Sequence, residues 1–241
     1  MPNPTAAMLV IGDEILSGRT QDGNTYYLAG QLTQHGVTLR EVRVVADDHA
    51  AIVAAVNALR PGHDHVFTSG GIGPTHDDIT AEAIADAFGV HIGIRPDARD
   101  LLAAHYARQG LEFNAARQLM ARIPDGATLI DNPISVAPGF TIGNVHVMAG
   151  VPTIFQAMVA SVLPGITGGA PLVSKTLRVE RGEGEIAASF GALADEFPEL
   201  SMGSYPFINN GRHGTNLVIR GTDPVQVDTA MARLTALFPP A

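Results

Sequence analysis

The sequence predicts an α/β protein with a mixed, mostly parallel sheet, followed by a small α+β unit. Three observations predict it. Short apolar runs that stop at glycine alternate with helical stretches up to Gly89, the pattern of βαβ units. A glycine-rich loop, Ser69-Gly70-Gly71-Ile72-Gly73, leaves one such run and enters a helical stretch. A cluster of three glycines and two prolines in residues 164–171 separates off a segment with a different order of elements.

Met8 to Ile11 is an apolar run ended by Gly12, as expected of a buried parallel strand. Residues 24–35 carry Tyr27, Leu28 and Leu32 and stop at Gly36, which predicts a helix. A second strand is expected over 37–45, a helix over 50–59, and a third strand over 65–68 that runs into the glycine loop. A helix is expected over 77–88. Residues 96–109 and 114–122 have apolar residues at helical spacing. Short strands are expected over 128–130, 139–142 and 145–148, the last two joined by a Gly143-Asn144 hairpin turn. A helix to about Leu163 completes a domain of residues 1–166. The remainder, 172–241, reads strand, helix, strand, strand, helix, with strands expected over 175–180, 200–205 and 215–220.

Composition excludes several classes of function. Apolar residues at 46% suffice for a buried core. The net charge of −9, unbroken by any Lys/Arg run, argues against nucleic acid as a partner. Zero cysteines excludes disulfides, thiolate metal sites and cysteine nucleophiles. No signal peptide or membrane-length apolar stretch is visible, so a cytoplasmic, soluble protein without membrane partners is expected.

The glycine loop is the strongest chemical signal. Glycines let the backbone approach a ligand, and amides at the start of a helix attract anions. The loop is neither a Walker A sequence nor a G-x-G-x-x-G fingerprint, and a plain glycine turn with a helix cap fits the same residues. Asp77-Asp78 follows it. Adjacent carboxylates repel unless a cation or a helix end compensates, which points to a divalent metal beside a phosphate; one Asp could equally cap the helix. Gly12-Asp13-Glu14 ends the first strand. Because parallel strands share a C-terminal edge, Asp13, Glu14, Asp77 and Asp78 are expected along one crevice. Asp22 or Asn24 reads first as a helix cap. His76 lies in the loop and could do acid–base work. His63, Asp64 and His65 are expected at the surface rather than around a metal, and no Ser is framed for a hydrolase triad.

These residues together resemble a family. Gly12-Asp13-Glu14-Ile15-Leu16-x-Gly18, Asp22-x-Asn24, Thr68 to Asp78 with Thr80, Asn114-x-x-Arg117-Gln118, Asn132-Pro133, Ala137-Pro138-Gly139-Phe140 and Ala149-Gly150-Val151-Pro152 occur in order. The set is similar to the competence/damage-inducible protein A (CinA) family and to the molybdopterin-binding-like domain of FAD synthases. Gly203-Ser204-Tyr205-Pro206 resembles that family's second domain. The resemblance implies a three-layer MoaB/MogA-like fold, a homo-oligomer, and hydrolysis of a nucleotide diphosphate such as ADP-ribose or FAD with Mg, Mn or Co. The implied metal ligands are Asp13, Asp77 and Asp78, with His76 joining them in catalysis. The implied ligand-binding set is Gly12, Glu14, Asn24, Thr68, Ser69, Gly70, Gly71, Gly73, Pro74, Thr75, Pro138, Gly139, Gly150, Val151 and Pro152. With the chain ending at Ala241, the deamidase activity of longer CinA proteins is not expected. Thr153-Ile154-Phe155 stands where many relatives carry an acidic residue, and the loop lacks the Arg-Asp ending usual in molybdopterin adenylyltransferases. Two alternatives remain: a pterin-binding or adenylyl-transferring protein of molybdenum cofactor metabolism, and a nucleotide-binding protein without turnover.

Overall fold

A computed structural model describes residues 3–209 and 211–239. The chain divides into two compact units, 1–169 and 170–241. The larger unit is organised by a six-stranded sheet. Its strands are β1 (Thr5–Ile11), β2 (Thr38–Val45), β3 (His65–Ser69), β6 (Thr128–Ile130), β7 (Gly139–Ile142) and β8 (Val145–Met148), in the order β2-β1-β3-β8-β7-β6. The pairs β2–β1, β1–β3 and β3–β8 are parallel, while β8–β7 and β7–β6 are antiparallel.

Both faces of β1 are buried, so its apolar run does not alternate with polar residues. Ala7, Leu9 and Ile11 join one core with Ile52, Val56 and Leu59 of α3 (His49–Leu59), Ile84 of α4 (Thr80–Phe88) and Leu102 of α5 (Pro96–Arg108). Ala6, Met8 and Val10 join the other with Leu28 and Leu32 of α2 (Asn24–His35) and Phe155 and Val159 of α7 (Pro152–Val162). Helices therefore cover both faces of the sheet, giving three layers.

Three local expectations change. The helix expected from Asp77 begins at Thr80. The Asp78 carboxylate accepts the amides of Gly73 and Thr75, which folds residues 73–79 into a turn. The helix expected over 114–122 is one turn, α6 (Ala115–Gln118), and a 3-10 turn over Leu119–Ala121. The chain then extends as β5 (Arg122–Pro124) and pairs with β4 (Ile92–Ile94), a small sheet with too little periodicity to read from sequence. The strands of the small unit are longer than expected: β9 (Val173–Val179), β10 (Ser201–Asn209) and β11 (Arg212–Gly221). They form an antiparallel sheet in the order β10-β11-β9. Its core, with Val179, Leu217 and Ile219, is closed by Ile186 and Phe190 of α8 (Glu183–Glu196) and Val227 and Leu234 of α9 (Pro224–Leu237). Among the described residues, no helix is long and apolar enough to cross a membrane.

Candidate functional site

The C-termini of the four parallel strands lie along one edge of the sheet, and the loops that leave them surround a cavity of about 400 Å³. Gly12 and Glu14 come from the loop after β1, Asp47 from that after β2, Gly70 to Pro74 with Asp77 and Asp78 from that after β3, and Gly150 and Val151 from that after β8. Asn132, Ser135 and Ala137 add a wall from the loop between β6 and β7. A smaller cavity of about 120 Å³ shares Ile72, Gly73, Asp78 and Met120 with it and reaches Thr75, His76 and Pro138.

The glycines answer to the protein's own backbone. Gly70 has φ 114 and Gly71 φ 68, a region that side chains rarely adopt. A Cβ on Gly70 would lie 2.1 Å from the Ile11 carbonyl, and one on Gly71 would lie 2.1 Å from Thr80 Oγ1. The Gly71 amide plane is also tied down, because its carbonyl accepts the Thr80 amide that starts α4. The amide of Gly70 is bonded to Met148 O and that of Gly73 to Asp78, so both are occupied within the protein.

Asn24 is neither a simple cap nor exposed to a ligand. Asp22 caps the helix through the amides of Asn24 and Thr25. The Asn24 side chain, 5% exposed, donates to Ser69 Oγ and Gly150 O at 2.8 Å each and so ties the β3 and β8 loops together.

Electrostatics at this edge are acidic. The Asp47 carboxyl is pushed above its ordinary range by burial, against the Asp13 amide that donates to it, and further by the charges of Asp13, Glu14 and Asp77. The Thr75 hydroxyl donates to Asp78; its proximity, with Asp77's own amide, holds the Asp77 carboxyl below the usual range. No three His, Asp or Glu side chains among the described residues converge into a complete metal shell. Two carboxylates with water and ligand phosphate oxygens are nevertheless an ordinary setting for a hard divalent cation, and Glu14, Asp47 and Asp77 offer that donor chemistry.

Residues 7–168 match the family described as "Probable molybdopterin binding domain". The chain belongs to this molybdopterin-binding-domain family. Residues 171–241 match a second family, "FAD synthase, middle domain". A CinA-like protein of Citrifermentans bemidjiense is 35% identical over 83% of this chain and 48% of its own length. A probable FAD synthase of Caenorhabditis elegans is 31% identical over 97% of this chain and 50% of its own. The chain thus spans about half the length of these two relatives. A crystal structure of the protein CinA from Thermoplasma acidophilum, titled as of unknown function, is 33% identical with a TM-score of 0.62, covering 67% of this chain and 97% of that one.

Within the molybdopterin-binding domain, the main cavity collects Gly12, Glu14, Gly70, Gly71, Gly73, Pro74, Asp77, Asp78, Gly150 and Val151 of the expected set. Thr75, His76 and Pro138 line the smaller neighbour, where the His76 side chain is 99% exposed. Asn24, Ser69 and Pro152 lie behind the loops, around a third cavity of about 50 Å³. Three expected residues line none of these. Asp13 is exposed; its amide donates to Asp47, and its charge acts on that carboxyl from outside the cavity. Thr68 is fully buried within β3. Gly139 is buried in β7, where a Cβ would lie 2.4 Å from Val147 O. Asp78 lines the cavity, yet both its oxygens already accept bonds from the loop, so its first task is to fold Gly73 to Thr75. Sequence reasoning missed Asp47. The rule that pointed to the ends of β1 and β3 applies equally to the end of β2, where Asp47 follows two residues on.

Proposed function

We propose that the chain is a metal-dependent nucleotide pyrophosphatase that hydrolyses a nucleotide diphosphate such as ADP-ribose or FAD. One observation carries this reading: backbone amides of a glycine loop and the carboxylates of Glu14, Asp47 and Asp77 share one cavity. An anionic ligand and this acidic wall repel each other unless a cation stands between them. When bound, a divalent cation would polarise the diphosphate and make an attacking water more acidic. Glu14 and Asp77 are the residues suited to hold it, and the Gly71 and Ile72 amides to orient a phosphate oxygen. Asp47, whose proton affinity burial raises, is suited to accept the water's proton. Water adds across the P–O–P bridge and two monophosphates leave, AMP with ribose 5-phosphate or AMP with FMN. The relative named a probable FAD synthase supports a nucleotide ligand. Asp13 and His76, outside the main cavity, are not assigned a step.

The test is incubation of the full chain with ADP-ribose and FAD in Mg²⁺, Mn²⁺ or Co²⁺, with products separated by chromatography. Cation-dependent release of AMP is expected. Tight nucleotide binding without turnover under any cation would sink the hydrolase reading, and adenylylated pterin formed from ATP would replace it with a molybdenum-cofactor role.

A further inference from the structure

Among the described residues, Val136 is the one non-glycine residue with positive φ, at 65. A β-branched side chain is strongly disfavoured there, and such strain persists only where the surroundings enforce it. Asn132 supplies the enforcement. It is 2% exposed, and its side-chain amide donates to Ser135 Oγ at 2.6 Å and Ala137 O at 2.8 Å. Its side-chain carbonyl accepts the amides of Ile134 and Ser135, and its backbone carbonyl accepts that of Val136. Every residue from 134 to 137 is thus fastened to Asn132.

The residues on either side of the strained one, Ser135 and Ala137, line the main cavity together with Asn132, and Val136 lines neither cavity. The loops leaving β3 use glycine where φ is positive; this one places valine there and compensates with a buried amide. We infer that Asn132 is a positioning residue: it holds the loop between β6 and β7 in a strained turn that makes Ser135 and Ala137 a fixed wall of the ligand cavity. The ligand part of this inference rests on the nucleotide reading above; the strain part does not.

The test joins kinetics to a thermal cycle on the full chain. Asn132→Ala should raise KM for ADP-ribose about tenfold with kcat changed less than about threefold, since a wall that only binds acts alike on substrate and transition state. Asn132→Asp keeps the acceptors for residues 134 and 135 but loses both donors and adds a negative charge to the cavity wall, so its KM should rise at least as far as that of the alanine variant. Independently, Val136→Asn, which tolerates left-handed backbone, should raise the melting temperature by roughly 2–4 °C in the wild type. In the Asn132→Asp background, where the turn can relax, it should raise it by less than half as much. Equal shifts in the two backgrounds would overturn the strain, and an unchanged KM in both Asn132 variants would overturn the wall. If the wild type hydrolyses no nucleotide diphosphate, the proposed function falls, and the thermal cycle alone then upholds or overturns the positioning role.

Discussion

Strands β3 and β8 lie side by side, and their two ends are built on opposite principles. At the start, His65 Nδ1 and His146 Nε2 face each other at 3.1 Å, with the rings stacked, and His146 Nδ1 meets Thr141 Oγ1 at 3.0 Å. His65, expected at the surface, is half-buried there. Asp64 beside it is bonded to the amide and hydroxyl of Thr5. At the other end carboxylates crowd around a cavity, and polar groups lack partners: among the described residues, the buried side-chain atoms without a bond are Asn24 Oδ1, Thr68 Oγ1 and Thr80 Oγ1. Thr68 lies in β3, and Asn24 and Thr80 begin the helices α2 and α4 that follow the loops of that edge. Buried polar groups are normally satisfied. One end of the strands therefore pairs its polar side chains with one another, and the other keeps unpaired buried polar atoms beside a concentration of negative charge.

The sharpest way to break this comparison is through the glycine that sits on an unbonded hydroxyl. Gly71→Ala combines positive φ with an overlap on Thr80 Oγ1, and should lose on the order of 4 kcal/mol of stability. Gly126→Ala has φ 80 and open space around the added Cβ, so it should lose only about 1–2 kcal/mol. Thr80→Ala added to Gly71→Ala should restore part of the loss. Denaturant melts of the four proteins decide the matter; equal losses at the two glycines would mean that Thr80 exerts no steric demand on the loop.

A smaller effect is expected from the carboxylates. Asp47→Asn and Asp77→Asn should each lower kcat/KM on the order of a hundredfold, since each removes charge from the proposed cation site. Asp47→Asn should also raise the melting temperature, because burial and like charge both oppose ionisation there, whereas Asp77→Asn should not, because the fold favours the charged form of Asp77. Asp78→Asn should behave differently and reduce stability too, since its NH2 group cannot accept and one of the bonds from the Gly73 and Thr75 amides is lost. Wild-type rates in Asp47→Asn and Asp77→Asn would remove both from the chemistry.

Much of the fold was legible because its signals are local. A short apolar run that stops at glycine, such as Met8 to Ile11, fits a strand buried on both faces, and Gly36 and Gly89 stop helices with left-handed caps. The pairing of β4 with β5 was not legible, because three-residue strands carry no period and their partners lie about thirty residues apart in sequence. In the site, strand-end glycines and carboxylates could be read off as a set, but their tasks could not. Whether Asp78 faces a ligand or folds its own loop depends on where the Gly73 and Thr75 amides point. Asn24 has the spacing of a cap and the contacts of a tie between loops that lie 45 and 126 residues away. Asn132 stood out only as part of a motif, and its task was not legible, since a positive φ at Val136 contradicts valine's propensity and follows from the buried amide beside it.

The smallest predicted effect tests the self-sufficient end. Burial, with a lesser contribution from His65, lowers the His146 pKa from 6.5 to about 4, and burial lowers that of His65 as well. Between those values the unfolded chain binds a proton that the folded His146 refuses, so stability is lost as pH falls from about 6.5 toward about 4 and levels off below. For this one group the loss between pH 7 and pH 5 is about 2 kcal/mol. Asp47 works in the opposite direction, since its raised pKa favours the folded state as acid is added, and it blunts the curve at its lower end. The measurement must therefore be a difference. His146→Phe keeps a flat ring against His65 and Phe67 and removes the titration. Its own cost, from the lost bonds to His65 and Thr141, is largely independent of pH, whereas the titration is not. Stability of the wild type minus that of His146→Phe, taken from urea melts at steps between pH 7 and pH 5, should shrink steadily as the solution is acidified. A difference that stays constant across that range would mean that His146 takes up its proton inside the folded protein, and that this end of the strands is open to water in the same way as the other.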